Sequence, residues 1–126
     1  SVTRSFWEKV TILHALCHGS KMRDRMSRHY YDTFMMDQNG VTEDALSDTA
    51  LLDLVVQNKA TFFRDPRASY DTAQIGTLRL VPEGETLQAL KKDYKAMEEM
   101  FMAHFPSFDD IIERLIILEQ RINATK

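Results

Sequence analysis

Residues 23–34 read RDRMSRHYYDTF, so Arg23, Arg25 and Arg28 run into a histidine, two tyrosines and the carboxylate of Asp32. Guanidinium groups are the preferred bidentate partners of phosphate oxygens. Two carboxylates, Asp24 and Asp32, cannot neutralise three of them. Read as a helix, Arg25, Arg28 and Asp32 fall at steps of three and four and share a face. On a solvated helix this spacing is an ordinary Arg28–Asp32 pair contributing about 0.3–0.5 kcal/mol. The surplus of cations points instead to the wall of a phosphate-holding site, where Asp32 would orient the cations, accept a proton or face a metal. Lys9 and Lys59 each border an apolar helical stripe. A lysine so placed either packs its stem and sends its ammonium to water or aims into a cleft at a phosphate.

Other residue sets carry less. His14 and His18 are four apart, but no acidic residue beside them completes a metal-ligand set. Gly19-Ser20 suggests a nucleotide-binding turn. The residues after it are basic and helical, whereas acids that share a Mg²⁺ must alternate along a strand. The seven methionines are scattered at packing positions. Cys17 is the sole cysteine, which excludes a disulfide framework and a multi-cysteine metal site and suits a reducing cytosol.

Five helices must position these residues, because glycine and proline are sparse and helical spacing dominates. The first is expected over about 5–17, with Ser5 and Glu8 as a capping box and Phe6, Val10, Leu13 and Cys17 inward. A polar linker, 18–23, leads to a second helix over about 24–36, stopped by the DQNG at 37–40. A third starts near Thr42 or Ser47 and ends about Phe63, with Leu51, Leu54, Val55, Asn58 and Phe62 on one face. Residues 64–86 are irregular, and the alternation at Leu78, Arg79 and Leu80 suggests one short strand over 77–81. The fourth helix is expected over about 85–103 and the fifth over 108–123, capped by Ser107. The fold class is therefore mainly α, a bundle in a single domain over 1–126.

Composition agrees. The 126 residues are 44% apolar and 28% charged, values of an ordinary globular domain. The net charge of −3 means that any nucleic-acid binding must come from a local patch. No apolar run approaches the ~20 residues of a membrane span, and the opening SVTRSFWEK lacks the apolar core of a signal peptide. A cytoplasmic protein is expected. Ser1 in place of Met suggests processing or a chain cut from something longer.

Six segments, RSFWEKVTILHALCH, RMSRHYYD, ALSDTALLDLVVQNKATFF, YDTAQIGTLRLVP, LKKDYKAMEEMF and PSFDDIIERLIILEQRIN, together resemble the C-terminal half of the AbiEii/AbiGii nucleotidyltransferase family, which includes toxins of type IV toxin–antitoxin systems. The combination and order of FWEK and RHYYD carry the resemblance. It implies a helical half that closes over a nucleotide and contributes Lys9 and Asp32 as catalytic residues. Arg28, just before the Tyr-Tyr-Asp, gains as a phosphate-binding residue, with Arg25 and Lys59 beside it. Lys59, Tyr70 and Arg79 lie in matching segments, but the resemblance assigns them no role, so Arg25 and Lys59 are phosphate-binding candidates by their charge and position alone. The family's N-terminal half, which carries the Gly-Ser turn and the metal-binding acids, has no counterpart here. Mg²⁺ and a nucleoside triphosphate are thus expected in the intact enzyme, and this chain alone should bind neither and be inactive. The expected partners are the nucleoside triphosphate, an RNA acceptor or a protein hydroxyl, a cognate antitoxin and the missing half, with no membrane. The alternative is a non-catalytic interaction module that binds an antitoxin or another protein through apolar surface.

Overall fold

The computed structural model describes residues 1–101 and 105–126. Six α-helices are present among them, with no strand: α1 (Val2–Cys17), α2 (Ser27–Gln38), α3 (Val41–Leu46), α4 (Thr49–Phe62), α5 (Gly84–Phe101) and α6 (Phe108–Asn123). The mainly α class expected from the periodicity holds. None of these helices is long and apolar enough to cross a membrane.

The bundle is built around α1, which packs against α2, α3 and α4. Phe6, Trp7, Val10, Leu13 and Leu16 are buried, more than one narrow stripe, as a central helix requires. α1 starts earlier than the Ser5–Glu8 box implied. Ser1 is the cap, its Oγ accepting from Arg4 N at 3.2 Å, and Glu8 instead pairs with Arg4 Nε at 3.2 Å. Removing such a cap typically costs about 1 kcal/mol.

α2 begins three residues later than its charge pattern suggests. Arg25 lies at φ 64°, in the left-handed region, which cannot continue a right-handed helix. Asp93 of α5 holds this entry. It accepts from Arg25 N at 2.8 Å, from Ser27 N at 2.9 Å and from the Ser27 hydroxyl. The first turn of α2 has no side-chain cap of its own, so a carboxylate from another helix satisfies its donors. At the other end Gly40 takes φ 82°, the stop expected from DQNG.

The single third helix expected near 42–63 is two. Asp48 breaks it and caps α4, accepting from Leu51 N at 3.3 Å. The break also rotates the inward face. Leu52 and Val55 are buried, whereas Leu54 and Phe62 are exposed, so the face read through Leu54 and Phe62 is corrected. Lys59 lies on the inward side, at helical steps from Leu52 and Val55.

The short strand expected at 77–81 is absent. Leu78 and Leu80 are indeed buried, so the alternation is real, but side chains stand where a partner strand would. Asn123 Oδ1 accepts from Gly76 N at 3.0 Å and Leu78 N at 3.1 Å, and its Nδ2 donates to Leu78 O at 2.8 Å. Leu80 N donates to Glu119 Oε1 at 2.7 Å. Arg79 N donates to His14 Nδ1 at 3.0 Å. The backbone's hydrogen-bonding needs are met without a ladder. One 3₁₀ turn, Tyr70–Thr72, interrupts the rest of the irregular stretch. α6 and its Ser107 cap fall where the sequence places them, with Ser107 Oγ accepting from Asp110 N at 3.1 Å. The expected end of the preceding helix at 103 lies outside the described residues.

Candidate functional site

On α2, Tyr30 and Thr33 are buried, and His29 and Asp32 each precede one of them. They share the edge of the buried face, one helical turn apart. On α1, Lys9 occupies the matching edge beside Phe6, Val10 and Leu13. Packing the two helices joins the edges. Lys9 Nζ lies 3.1 Å from Asp32 Oδ2, and both side chains are half-buried at 25% exposure. The same Nζ lies 3.0 Å from His29 Nδ1.

The proton count follows from these contacts. A lysine ammonium has three donors and no acceptor. Lys9 gives one to Asp32 and one to the His29 Nδ1 lone pair, leaving one uncommitted. His29 is therefore neutral, with its proton assigned to Nε2 from this network. Burial holds its pKa below the ordinary histidine value; Lys9 adds to the depression and Asp32 opposes it.

Lys59 approaches from α4. Burial lowers its pKa from the usual lysine value, Glu8 opposes that, and Lys9 adds to it. Its ammonium sits 5.6 Å from the centroid of the Phe63 ring, within cation–π range. Arg28 stands at the rim, 65% exposed, with Nε 4.0 Å from Asp32 Oδ2.

The structure thus brings together Lys9, Asp32 and Arg28, with Lys59 near enough to feel the charge of Lys9 and to act on His29. It does not bring Arg25. That residue precedes the helix, so its phase with Arg28 and Asp32 is lost, and its Nη2 donates to Met100 Sδ on α5 at 3.6 Å. The one-face reading of Arg25 is corrected. His29 is the member that the sequence reading missed. Its signal was the three-residue step to Asp32 in RHYYD, hidden because one sequence does not show which side of the tyrosine pair faces α1.

The His14–His18 pair is also explained. His14 is fully buried, accepts from Arg79 N through Nδ1 and donates through Nε2 toward Ser69 O and Thr72 Oγ1, each at 3.0 Å. Both ring nitrogens are engaged, and burial lowers its pKa to about 4. It is a strut between α1 and the irregular segment. Burial also pushes the Cys17 thiol up to about 12, leaving it protonated and unreactive at neutral pH.

A divalent ion such as Mg²⁺ needs several oxygen ligands. Asp32 is a single carboxylate already engaged by Lys9, and no group of three or more metal-ligating side chains occurs among the described residues. The donor set at Lys9 is cationic. It fits phosphate oxygens and does not fit a metal.

No curated protein and no solved structure matches the chain. A family model described as nucleotidyl transferase AbiEii toxin, type IV TA system, matches residues 1–114, a span that contains Lys9, Arg28, His29, Asp32 and Lys59. The chain belongs to the AbiEii nucleotidyl transferase toxin family.

Proposed function

We propose that this chain is the helical, C-terminal part of an AbiEii nucleotidyltransferase, and that Lys9 holds the triphosphate of a nucleoside triphosphate during nucleotidyl transfer. One observation supports this reading above the others: Lys9, 3.1 Å from Asp32 and 3.0 Å from His29, has two of its three ammonium donors engaged while its side chain keeps 25% exposure. In the reaction the oxygen of an acceptor hydroxyl bonds to the α-phosphorus, the bond to pyrophosphate breaks, and the hydroxyl proton passes to a base. Negative charge builds on the phosphate oxygens as the leaving group departs. A preorganised ammonium stabilises that charge without reorganising. Arg28 and Lys59 supply further positive charge at the rim and the α4 side. The contact with Lys9 supports Asp32 as the group that orients this cation. Acids that would hold Mg²⁺ are assigned to a separate half of the enzyme, and the acceptor is an RNA or protein hydroxyl. A cytoplasmic location, where nucleoside triphosphates are abundant, is part of this proposal.

The test uses the complete enzyme containing this chain, incubated with Mg²⁺, labelled triphosphates and total RNA. Lys9→Ala and Asp32→Ala should each lower label incorporation by a factor of about 10²–10³ while circular dichroism stays unchanged. Near-normal incorporation in both variants would sink the reading. This chain by itself should incorporate no label.

A second reading draws on the outer side of α4, where Leu54 and Phe62 are exposed at 54% and 75%. Exposed apolar side chains about two turns apart on one helix favour a protein contact, with the antitoxin or the other half of the enzyme. Pull-down by a cognate antitoxin that is lost on Phe62→Ser would support it.

A further inference from the structure

Beside the Lys9 cluster lies a groove of about 730 Å³ between α1, the linker that precedes α2, and the segment after α4. Its walls carry Lys21, Arg23, Lys59, Arg64 and Arg67. Its sole carboxylate, Asp65, is already engaged. Asp65 Oδ2 accepts from Ser20 Oγ at 2.8 Å, and Oδ1 accepts from Arg67 N at 2.9 Å and faces Arg67 Nε at 3.5 Å. Lys21, Arg23, Lys59 and Arg64 form no ion pair among the described residues. In a chain of net charge −3 this is a local reversal of sign. Phe63, 65% exposed, stands among these cations, and its ring is available for stacking.

Cations spaced along a groove follow a phosphodiester backbone, and an exposed aromatic among them stacks a base regardless of sequence. We propose that this groove binds a single-stranded polynucleotide, with its phosphates on Lys21, Arg23, Arg64 and Arg67 and a base on Phe63. A duplex would keep its bases stacked within itself and leave Phe63 without a partner. An acidic protein would use the cations and leave the aromatic unexplained. Lys59 lines the groove, and its charge contributes to the lowered pKa of His29. That such a strand presents the acceptor hydroxyl rests on the function proposed above; the binding itself does not.

The experiment is fluorescence anisotropy of the 126-residue chain with labelled oligouridine, oligodeoxythymidine, an RNA duplex and oligoglutamate. The single strands should bind, RNA and DNA being distinguished by which is tighter, and affinity should fall linearly with salt on logarithmic axes. Each cation removed should flatten that slope by about 0.7, so Arg23→Ala with Arg64→Ala should flatten it by about 1.4 and weaken binding at least about tenfold. Phe63→Ala should weaken it by a factor of about 5–100. Arg23→Gln with Arg64→Gln, checked by thermal melting, repeats the test should the alanine pair unfold. Lys9→Ala should leave strand binding intact, so failure of the catalytic reading and failure of this one are separable. Binding unaltered by these changes, no strand binding, or tighter binding of the duplex or of oligoglutamate would overturn the proposal.

Discussion

Lys9 makes two contacts inside the protein and, in the role proposed for it, offers its third N–H to a phosphate, so its effects on stability and on chemistry should separate. Half-buried ion pairs contribute modestly. Lys9→Met should cost about 1 kcal/mol by urea denaturation, against the larger loss of turnover expected above. His29 enters the same network through the Nδ1 lone pair that receives Lys9. Lys9 and Asp32 were legible because FWEK and RHYYD carry a family pattern; His29 was not, because its role depends on which edge of α2 meets α1. The pH response belongs to this scale too. His14, lowered to about 4 by burial, with His18 and Arg79 adding to the depression and Asp71 opposing it, stays neutral in the fold while the unfolded chain protonates near 6.5. The unfolded state then binds more protons, so the stability contributed by His14 is complete above pH 6.5 and is lost as pH falls toward 4. His29, also lowered, acts in the same direction. The urea midpoint should fall between pH 7 and pH 5, above most carboxylate titration. His14→Gln should flatten that decline. A midpoint that rises across this window would contradict the assigned tautomers.

At the scale of elements, the site depends on contacts from outside its own helices. α2 presents His29 and Asp32 at the right edge because Asp93, on α5, fixes its first turn. Asp93→Ala should lower stability by about 1–2 kcal/mol in chemical denaturation and release the left-handed turn at Arg25. Unchanged stability would mean that the turn holds itself. The residues RDRMSR were misjudged in the sequence for the same reason: a capping carboxylate far along the chain leaves no local sign, so the helix read as starting at Asp24. The strand expected over 77–81 failed differently. Its period of two was correct, with Leu78 and Leu80 inward, but Asn123, Glu119 and His14 take the place of a neighbouring strand. Alternation reports burial and says nothing about what satisfies the backbone. Asn123→Leu removes three such bonds and should cost about 2–4 kcal/mol, read as a fall in melting temperature.

Across the whole molecule, α1 is the shared wall. Its buried side chains carry the core, and its edge carries Lys9. α6 braces the arrangement from outside, with Arg114 Nε 3.1 Å from Asp37 Oδ2 on α2 and Arg121 Nη1 3.0 Å from Glu43 Oε1 on α3. The fixed placement of Lys9 between Asp32 and His29 matters for the mechanism proposed here, because a cation fixed before the reaction stabilises developing charge better than one that must move. The most direct measurement is the single-turnover rate of nucleotidyl transfer by the complete enzyme, compared between Lys9 and Lys9→Met across triphosphate concentrations. If Lys9 acts on charge that builds as pyrophosphate leaves, the maximal rate should fall by about 10² or more while the concentration for half-saturation shifts less than about tenfold. An unchanged maximal rate would place Lys9 outside the chemistry and contradict the account.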